Sequence, residues 1–178
     1  FHIAFLNAFS DKLNGRVRDI PDYISLSSWL QGLNTSLGQS FFESVAHILC
    51  DGEKRDFKGK TIYSNQINAI SEIMIDLKNS TQQPSLERED KIIRENRSGE
   101  TQSASNFTAD CFYESDEEVI AIELKSVRPN SGEMRGEKQK ILQAKAVLQE
   151  LSPNKTIKYF FGFPFDPTSS TDSGYDKQ

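Results

Sequence analysis

Hydrophobic residues follow one rhythm in the first half of this chain and another in the second. Ile3, Leu6, Ala8 or Phe9, and Leu13 recur at helical spacing and predict a short amphipathic helix over 3–13. Pro21 breaks the pattern, and residues 22–33, which contain the only tryptophan, Trp29, predict a second helix. A third spans 37–50, with Phe41, Phe42, Val45, Ile48 and Leu49 as its apolar face and Asp51-Gly52 as its stop. Residues 63–78 repeat the helical period through Ile67, Ile70, Ile73, Met74 and Leu77. Pro84 opens a charged segment expected to be helical as far as Arg94, and the Ser-, Thr-, Gly- and Asn-rich stretch 96–106 predicts an exposed loop.

From residue 107 the period shortens. Two β-rich runs, 107–113 and 119–127, flank the acidic stretch 114–118 and predict a hairpin turning on Asp116 and Glu117. A helix over about 133–151 follows, with Asn130 or Ser131 as its N-cap and Glu133 in its first turn. Residues 155–163 predict a further strand, and the polar tail 166–178 should be irregular. There is no internal repeat. The expected fold is α/β, a mixed central β-sheet flanked by helices, with a helical N-terminal part. We expect a single domain over 1–178: a mainly helical part to residue 80, a charged segment and polar loop over 81–106, a hairpin–helix–strand core over 107–165, and the tail.

The hairpin carries the chemistry. A tight turn on Asp116 and Glu117 sets Asp110 opposite Glu123, and the strand period of two brings Lys125 out on the same face as Glu123. Two opposed carboxylates repel unless something compensates them, and a hard divalent cation suits such oxygen donors. Val119, Ile120, Ala121, Ile122 and Leu124 make the strand around Glu123 nearly continuously apolar, as in a strand covered on both faces. A Glu and a Lys in such a run need partners. Taken alone, the E-x-K triplet fits a solvated edge strand equally well.

Net charge is −5, so the chain as a whole is no electrostatic clamp for nucleic acid. Locally the balance reverses. Residues 125–145 carry six bases (Lys125, Arg128, Arg135, Lys138, Lys140, Lys145) against Glu133 and Glu137, a net +4 beside the carboxylates. Cys50 and Cys111 have neither the number nor the spacing of a disulfide framework or a zinc site and read as free thiols, and His2 and His47 add no zinc pattern. His47 reads as a half-buried helix residue. No apolar run is long enough to span a membrane, and a reducing, cytoplasmic setting is expected. The opening Phe1, in place of Met, leads us to expect a native start upstream.

Asp110 and the Glu123-Leu124-Lys125 triplet, an acid on one strand and E-x-K on the next, resemble the active-site signature of the PD-(D/E)xK nuclease superfamily. Ala109 stands where the signature has proline. Within the superfamily, LNTSLGQSFFESVAHIL and KSVRPNSGEMRGEKQKILQAKAVL look most like type II restriction endonucleases. The resemblance implies one or two Mg²⁺ ions held by Asp110, Glu123 and the backbone carbonyl of Leu124, with Lys125 acting on the attacking water and Glu43, from the helix before the sheet, completing the site. It implies hydrolysis of double-stranded DNA at a short specific site, 5′-phosphate ends, a homodimer, and a cognate DNA methyltransferase as functional partner in a prokaryotic cytoplasm. Candidate DNA contacts are Arg94, Arg97, Arg128, Arg135 and Lys138, with Gln139 placed to orient water or a phosphate. The alternatives are a nuclease of the same superfamily acting in repair or recombination, and a non-catalytic DNA-binding module.

Overall fold

A computed structural model describes residues 20–36, 41–125 and 131–163. The helix expected over 3–13, the tail, Arg128 and the N-cap candidate Asn130 lie outside the described residues. The chain divides into two compact units, 1–42 and 43–178. In the first, helix α1 (Ile20–Ser36) begins before Pro21 rather than after it. Proline is tolerated in a first helical turn, where its missing N–H costs no hydrogen bond.

The second unit holds the sheet. Helix α2 (Phe42–Cys50) leads to strand β1 (Glu53–Phe57), then to β2 (Thr61–Tyr63) and helix α3 (Ser64–Lys78). Helix α4 (Leu86–Glu95), the short strand β3 (Thr101–Ser103) and the hairpin β4 (Phe107–Glu114) and β5 (Glu118–Leu124) follow. Helix α5 (Ser131–Leu151) then crosses over to β6 (Thr156–Gly162). The main sheet runs β1-β4-β5-β6, antiparallel except for the parallel β5–β6 pair, while β2 and β3 form a separate two-stranded sheet. The mixed sheet with flanking helices is as expected. Three short strands add to the expected organisation: β1 and β2 lie within the mainly helical part before residue 80, and the loop over 96–106 contains β3.

Antiparallel β4–β5 pairing joins Cys111 to Ile122, Phe112 to Ala121, Tyr113 to Ile120 and Glu114 to Val119, which is the expected register. Its turn is closed by Ser115, whose amide donates to the Glu118 carbonyl at 2.9 Å. β5 lies between β4 and β6, and its buried positions Val119, Ala121 and Glu123 alternate with partly exposed ones. Onto the sheet α5 packs Ile141, Ala144, Val147 and Leu148 against Phe107, Phe112, Val119, Ala121, Ile157 and Tyr159. Its other flank, Leu142 and Ala146, packs against Ile62, Ile70, Ile73 and Ile93. α5 is therefore sandwiched, and a helix buried on two flanks holds its side chains to fixed rotamers.

The edge strand β1 hides only Phe57, which stacks on Phe107 with ring centroids 4.6 Å apart. Arg55 lies over the Phe112 ring at 4.2 Å. Glu114, at the end of β4, ties the edge down by accepting from Lys155 at 3.0 Å and Ser152 at 3.2 Å, with Arg55 at 3.4 Å. The Lys155 hydrogen bond holds the Glu114 carboxyl below its ordinary 4.5; partial burial opposes this, and Ser152 and the two positive charges reinforce it. A depressed carboxyl stabilises the fold above its unfolded pKa and loses that contribution as pH falls through its folded value. Glu114→Gln should therefore cost up to about 1 kcal/mol at pH 7, the pairs being partly solvated. In urea denaturation the gap from wild type should narrow below pH 4.5; a constant gap would assign the loss to packing.

Candidate active site

The site forms where β4 and β5 part. Cys111↔Ile122 is the last ladder pair, and one step further the register sets Asp110 against Glu123. There the Asp110 side chain takes over from the ladder: its Oδ2 accepts from the Leu124 amide at 2.8 Å. One carboxylate oxygen is thereby fixed by backbone, a charge-assisted bond worth more than a neutral one. Helix α2 fixes Asp110 from the other side. His47 Nε2 donates to the Asp110 carbonyl at 2.6 Å, and Cys111 Sγ contacts the Ala46 carbonyl at 3.6 Å. Asp51, with φ of 50°, ends α2 in the left-handed conformation, and the Gly52 amide returns to the His47 carbonyl at 3.1 Å. No side chain larger than hydrogen fits at Gly52, since a Cβ there would sit 2.6 Å from Cys111 Sγ and 2.9 Å from the Phe112 carbonyl oxygen. α2 therefore lies close against β4 beside Asp110.

The apolar face expected over 37–50 is corrected, because Phe41 is 54%, Ile48 82% and Leu49 78% exposed and no residue of α2 is fully buried. The contacts of α2 with β4 run through His47 and Ala46 instead. The thiols Cys50 and Cys111 are free, as expected, and burial followed by the neighbouring Cys50 pushes Cys111 up to about 11. Such a thiol is inert.

Glu123 is the buried acid, only 7% exposed. Its Oε1 receives two ammonium groups, Lys125 at 3.1 Å and Lys140 at 2.9 Å. Both lysines also reach Glu137, Lys125 at 3.0 Å and Lys140 at 3.5 Å. The four side chains form a closed ring of alternating charge between β5 and α5. Burial alone would lower the Lys125 ammonium, but hydrogen bonds to Glu137 and Glu123 outweigh it and raise it above its ordinary 10.5. Lys125 is thus held as a charged donor. Burial likewise opposes ionisation of Glu137, and the two lysines more than offset it. On the far side of Asp110, Lys54 of β1 donates to both oxygens of Glu43 at 3.1 and 3.2 Å and lies 3.8 Å from Asp110 Oδ1.

Six buried side-chain atoms have no hydrogen-bond partner among the described residues: Asp90 Oδ1, both amide atoms of Gln149, and, at this site, Glu123 Oε2, Glu137 Oε2 and the Tyr159 hydroxyl. Burial first, then the charges of Glu123, Asp110 and Glu137, raise the Tyr159 phenol, which places it within the electrostatic reach of all three acids. An ionised carboxylate oxygen buried without a partner costs free energy unless a cation completes it. Among the described residues no three His, Cys, Asp or Glu side chains gather closely enough to make a metal cage of protein groups alone. The donors present are hard oxygens, and an ion of the Mg²⁺ type binds through one or two carboxylates while keeping water and phosphate as its other ligands. The partnerless Glu123 Oε2 and the backbone-fixed Asp110 fit that mode.

Of the residues expected at the site, the structure brings together Asp110, Glu123, Leu124 and Lys125, with Glu43 joined to Asp110 through Lys54. It takes two expected DNA contacts elsewhere. Arg97 makes three contacts of 2.6–2.9 Å with Glu150, and Lys138 donates at 2.6 Å to Glu89, a side chain 1% exposed. Arg94 and Arg135 are exposed to solvent, and Gln139 is exposed on a cleft of about 260 Å³ that also involves Lys140. Sequence reasoning missed Lys54, Glu137 and Lys140. For the last two a signal was available, since both sit at helical spacing from the apolar stripe Ile141, Ala144 and Leu148.

Comparison with known proteins shows the family. Residues 1–177 match the family described as "Type II restriction endonuclease, HinfI", and the chain belongs to that family. It is 48% identical over 184 residues to the type II restriction enzyme MjaII of Methanocaldococcus jannaschii, an alignment covering 99% of this chain and 49% of that protein. The chain thus spans about half the length of that relative. No solved structure matches it. Among the described residues no helix is long and apolar enough to cross a membrane.

Proposed function

We propose that this chain carries the catalytic site of a Mg²⁺-dependent type II restriction endonuclease, which hydrolyses phosphodiester bonds of double-stranded DNA at a short specific site and leaves 5′-phosphate ends. The observation that carries the reading is Glu123, a buried carboxylate with one oxygen held by two lysines and the other without a partner. Asp110, Glu123 and the Leu124 carbonyl would hold one or two ions. When bound, such an ion would supply a more acidic water and positive charge to offset that on the phosphate.

The chain's own groups do the rest. The Leu124 amide and His47 hold Asp110 still, so its other oxygen, 3.8 Å from Lys54, is presented without a search among rotamers. Lys125, charged and pinned between Glu123 and Glu137, orients a water as donor and offsets charge on the phosphate. Its raised pKa supports the electrostatic part of the expected role over direct deprotonation of the water. Lys54 neutralises Glu43 and part of Asp110, so Glu43 contributes through that lysine. Cleavage of both strands is best served by a two-fold homodimer, and a cognate DNA methyltransferase would protect host sites. The reading places the enzyme in a prokaryotic cytoplasm. Incubating the protein with unmethylated phage DNA and Mg²⁺ and sequencing the ends tests it. Discrete fragments with uniform 5′-phosphate ends are expected. Unspecific degradation would favour the repair or recombination reading, and intact DNA would favour the non-catalytic one.

A further inference from the structure

Lys125 and Lys140 contact the same oxygen of Glu123, yet they are held very differently. Lys125 follows Glu123 by two positions at the end of a central strand and is only 16% exposed at its side chain. Lys140 comes from α5, is 34% exposed, and borders the cleft of about 260 Å³ whose other polar lining is Gln139, Gln143 and Ser105. Its second ion pair, to Glu137, is the longest in the ring at 3.5 Å. Two ammonium groups and a divalent ion at one carboxylate would set like charges within a few ångströms in a partly desolvated place, which is strongly unfavourable. One cation has to leave, and among the described residues Lys140 is the one that borders an open cleft.

Resting on the nuclease reading above, we propose that Lys140 is a displaceable counter-ion: it occupies Glu123 while no divalent cation is bound, yields to one that binds, and then turns its charge to a DNA phosphate in the adjoining cleft. Lys140 would thereby link metal loading to DNA binding through one side chain. The three amide and hydroxyl groups of the cleft can donate hydrogen bonds to phosphate or sugar oxygens, as positioning contacts in protein–DNA complexes do.

The test is a calorimetric titration of Mn²⁺ into the full chain without DNA, comparing wild type with Lys140→Met, Lys140→Arg and Glu123→Gln, at a temperature where thermal melting shows each variant to be folded. Lys140→Met keeps the aliphatic stem and removes the competing charge, so it should bind Mn²⁺ about tenfold more tightly, the exposure of Lys140 limiting the gain. Lys140→Arg, still cationic, should stay near wild type. With Ca²⁺ present, Lys140→Met should bind duplex DNA several-fold more weakly, with a shallower salt dependence, having lost one phosphate contact. Unchanged or weaker Mn²⁺ affinity in Lys140→Met overturns the inference and leaves the nuclease reading standing. Undiminished Mn²⁺ affinity in Glu123→Gln overturns both, because Glu123 is then no metal ligand.

Discussion

Glu123→Gln and Asp110→Asn should each lower the cleavage rate by about 10³-fold or more, the size expected when several kcal/mol of charge stabilisation are removed from a phosphoryl transition state. The two should differ in how the fold responds. Asn at 110 retains an oxygen that can accept from the Leu124 amide, so the separation of β4 and β5 survives. Gln at 123 leaves Lys125 and Lys140 facing each other with Glu137 as their one remaining acid in the ring. We therefore expect near-native melting for Asp110→Asn and a measurable loss for Glu123→Gln. Single-turnover cleavage at saturating DNA, beside thermal melting, reads both effects. A rate within a few-fold of wild type in either variant would mean the carboxylate is structural.

Lys125→Met should slow the chemical step by about 10²–10³-fold, the usual worth of a preorganised donor aimed at developing charge. The variant should keep much of its metal affinity, since on the proposed reading the carboxylates and not the ammonium would hold the ion. Lys125→Arg should recover only part of the rate: the guanidinium keeps the charge, but its flat fork cannot sit between Glu123 and Glu137 as a compact ammonium does. The discriminating measurement is the rate across a Mg²⁺ titration. Full recovery at high Mg²⁺ would show that Lys125 serves metal binding and not the reaction.

How much of this was legible follows from where the information lies. The register of Asp110 against Glu123 was readable because a two-residue turn and two β-rich runs fix an antiparallel ladder almost completely. The sheet beyond the hairpin was only partly readable. β6 shows its apolar run, whereas β1 reads EKRDF, charged because an edge strand turns its side chains to water and hides only Phe57. β2 and β3 are three residues each, too short for any period to register. Long-range partners left no mark in local spacing. Lys54 meets Glu43 and Asp110 only because β1 pairs with β4. On α5, nearness to the hairpin suggested Lys138 and Gln139, but helical phase decides the matter: Lys138 turns to Glu89 on α4, while Glu137 and Lys140 turn to the sheet.

The order in which the site comes together has a cost of its own. Asp110 and Glu123 approach by closing one short turn, which is fast and entropically cheap. Lys125 and the Leu124 amide arrive with the hairpin, but the other stabilising partners come from far away in sequence: His47 lies 63 positions from Asp110, and Lys140 lies 17 from Glu123 on a helix that must first dock. The nascent hairpin therefore holds two carboxylates together before His47, Lys54 or Lys140 arrives, and the repulsion weighs on the folding barrier more than on the finished protein. Mild acid should consequently speed refolding of wild type in stopped-flow experiments, and Asp110→Asn should remove most of that acceleration. The acids proposed to serve the reaction would then also set the pace at which the chain folds.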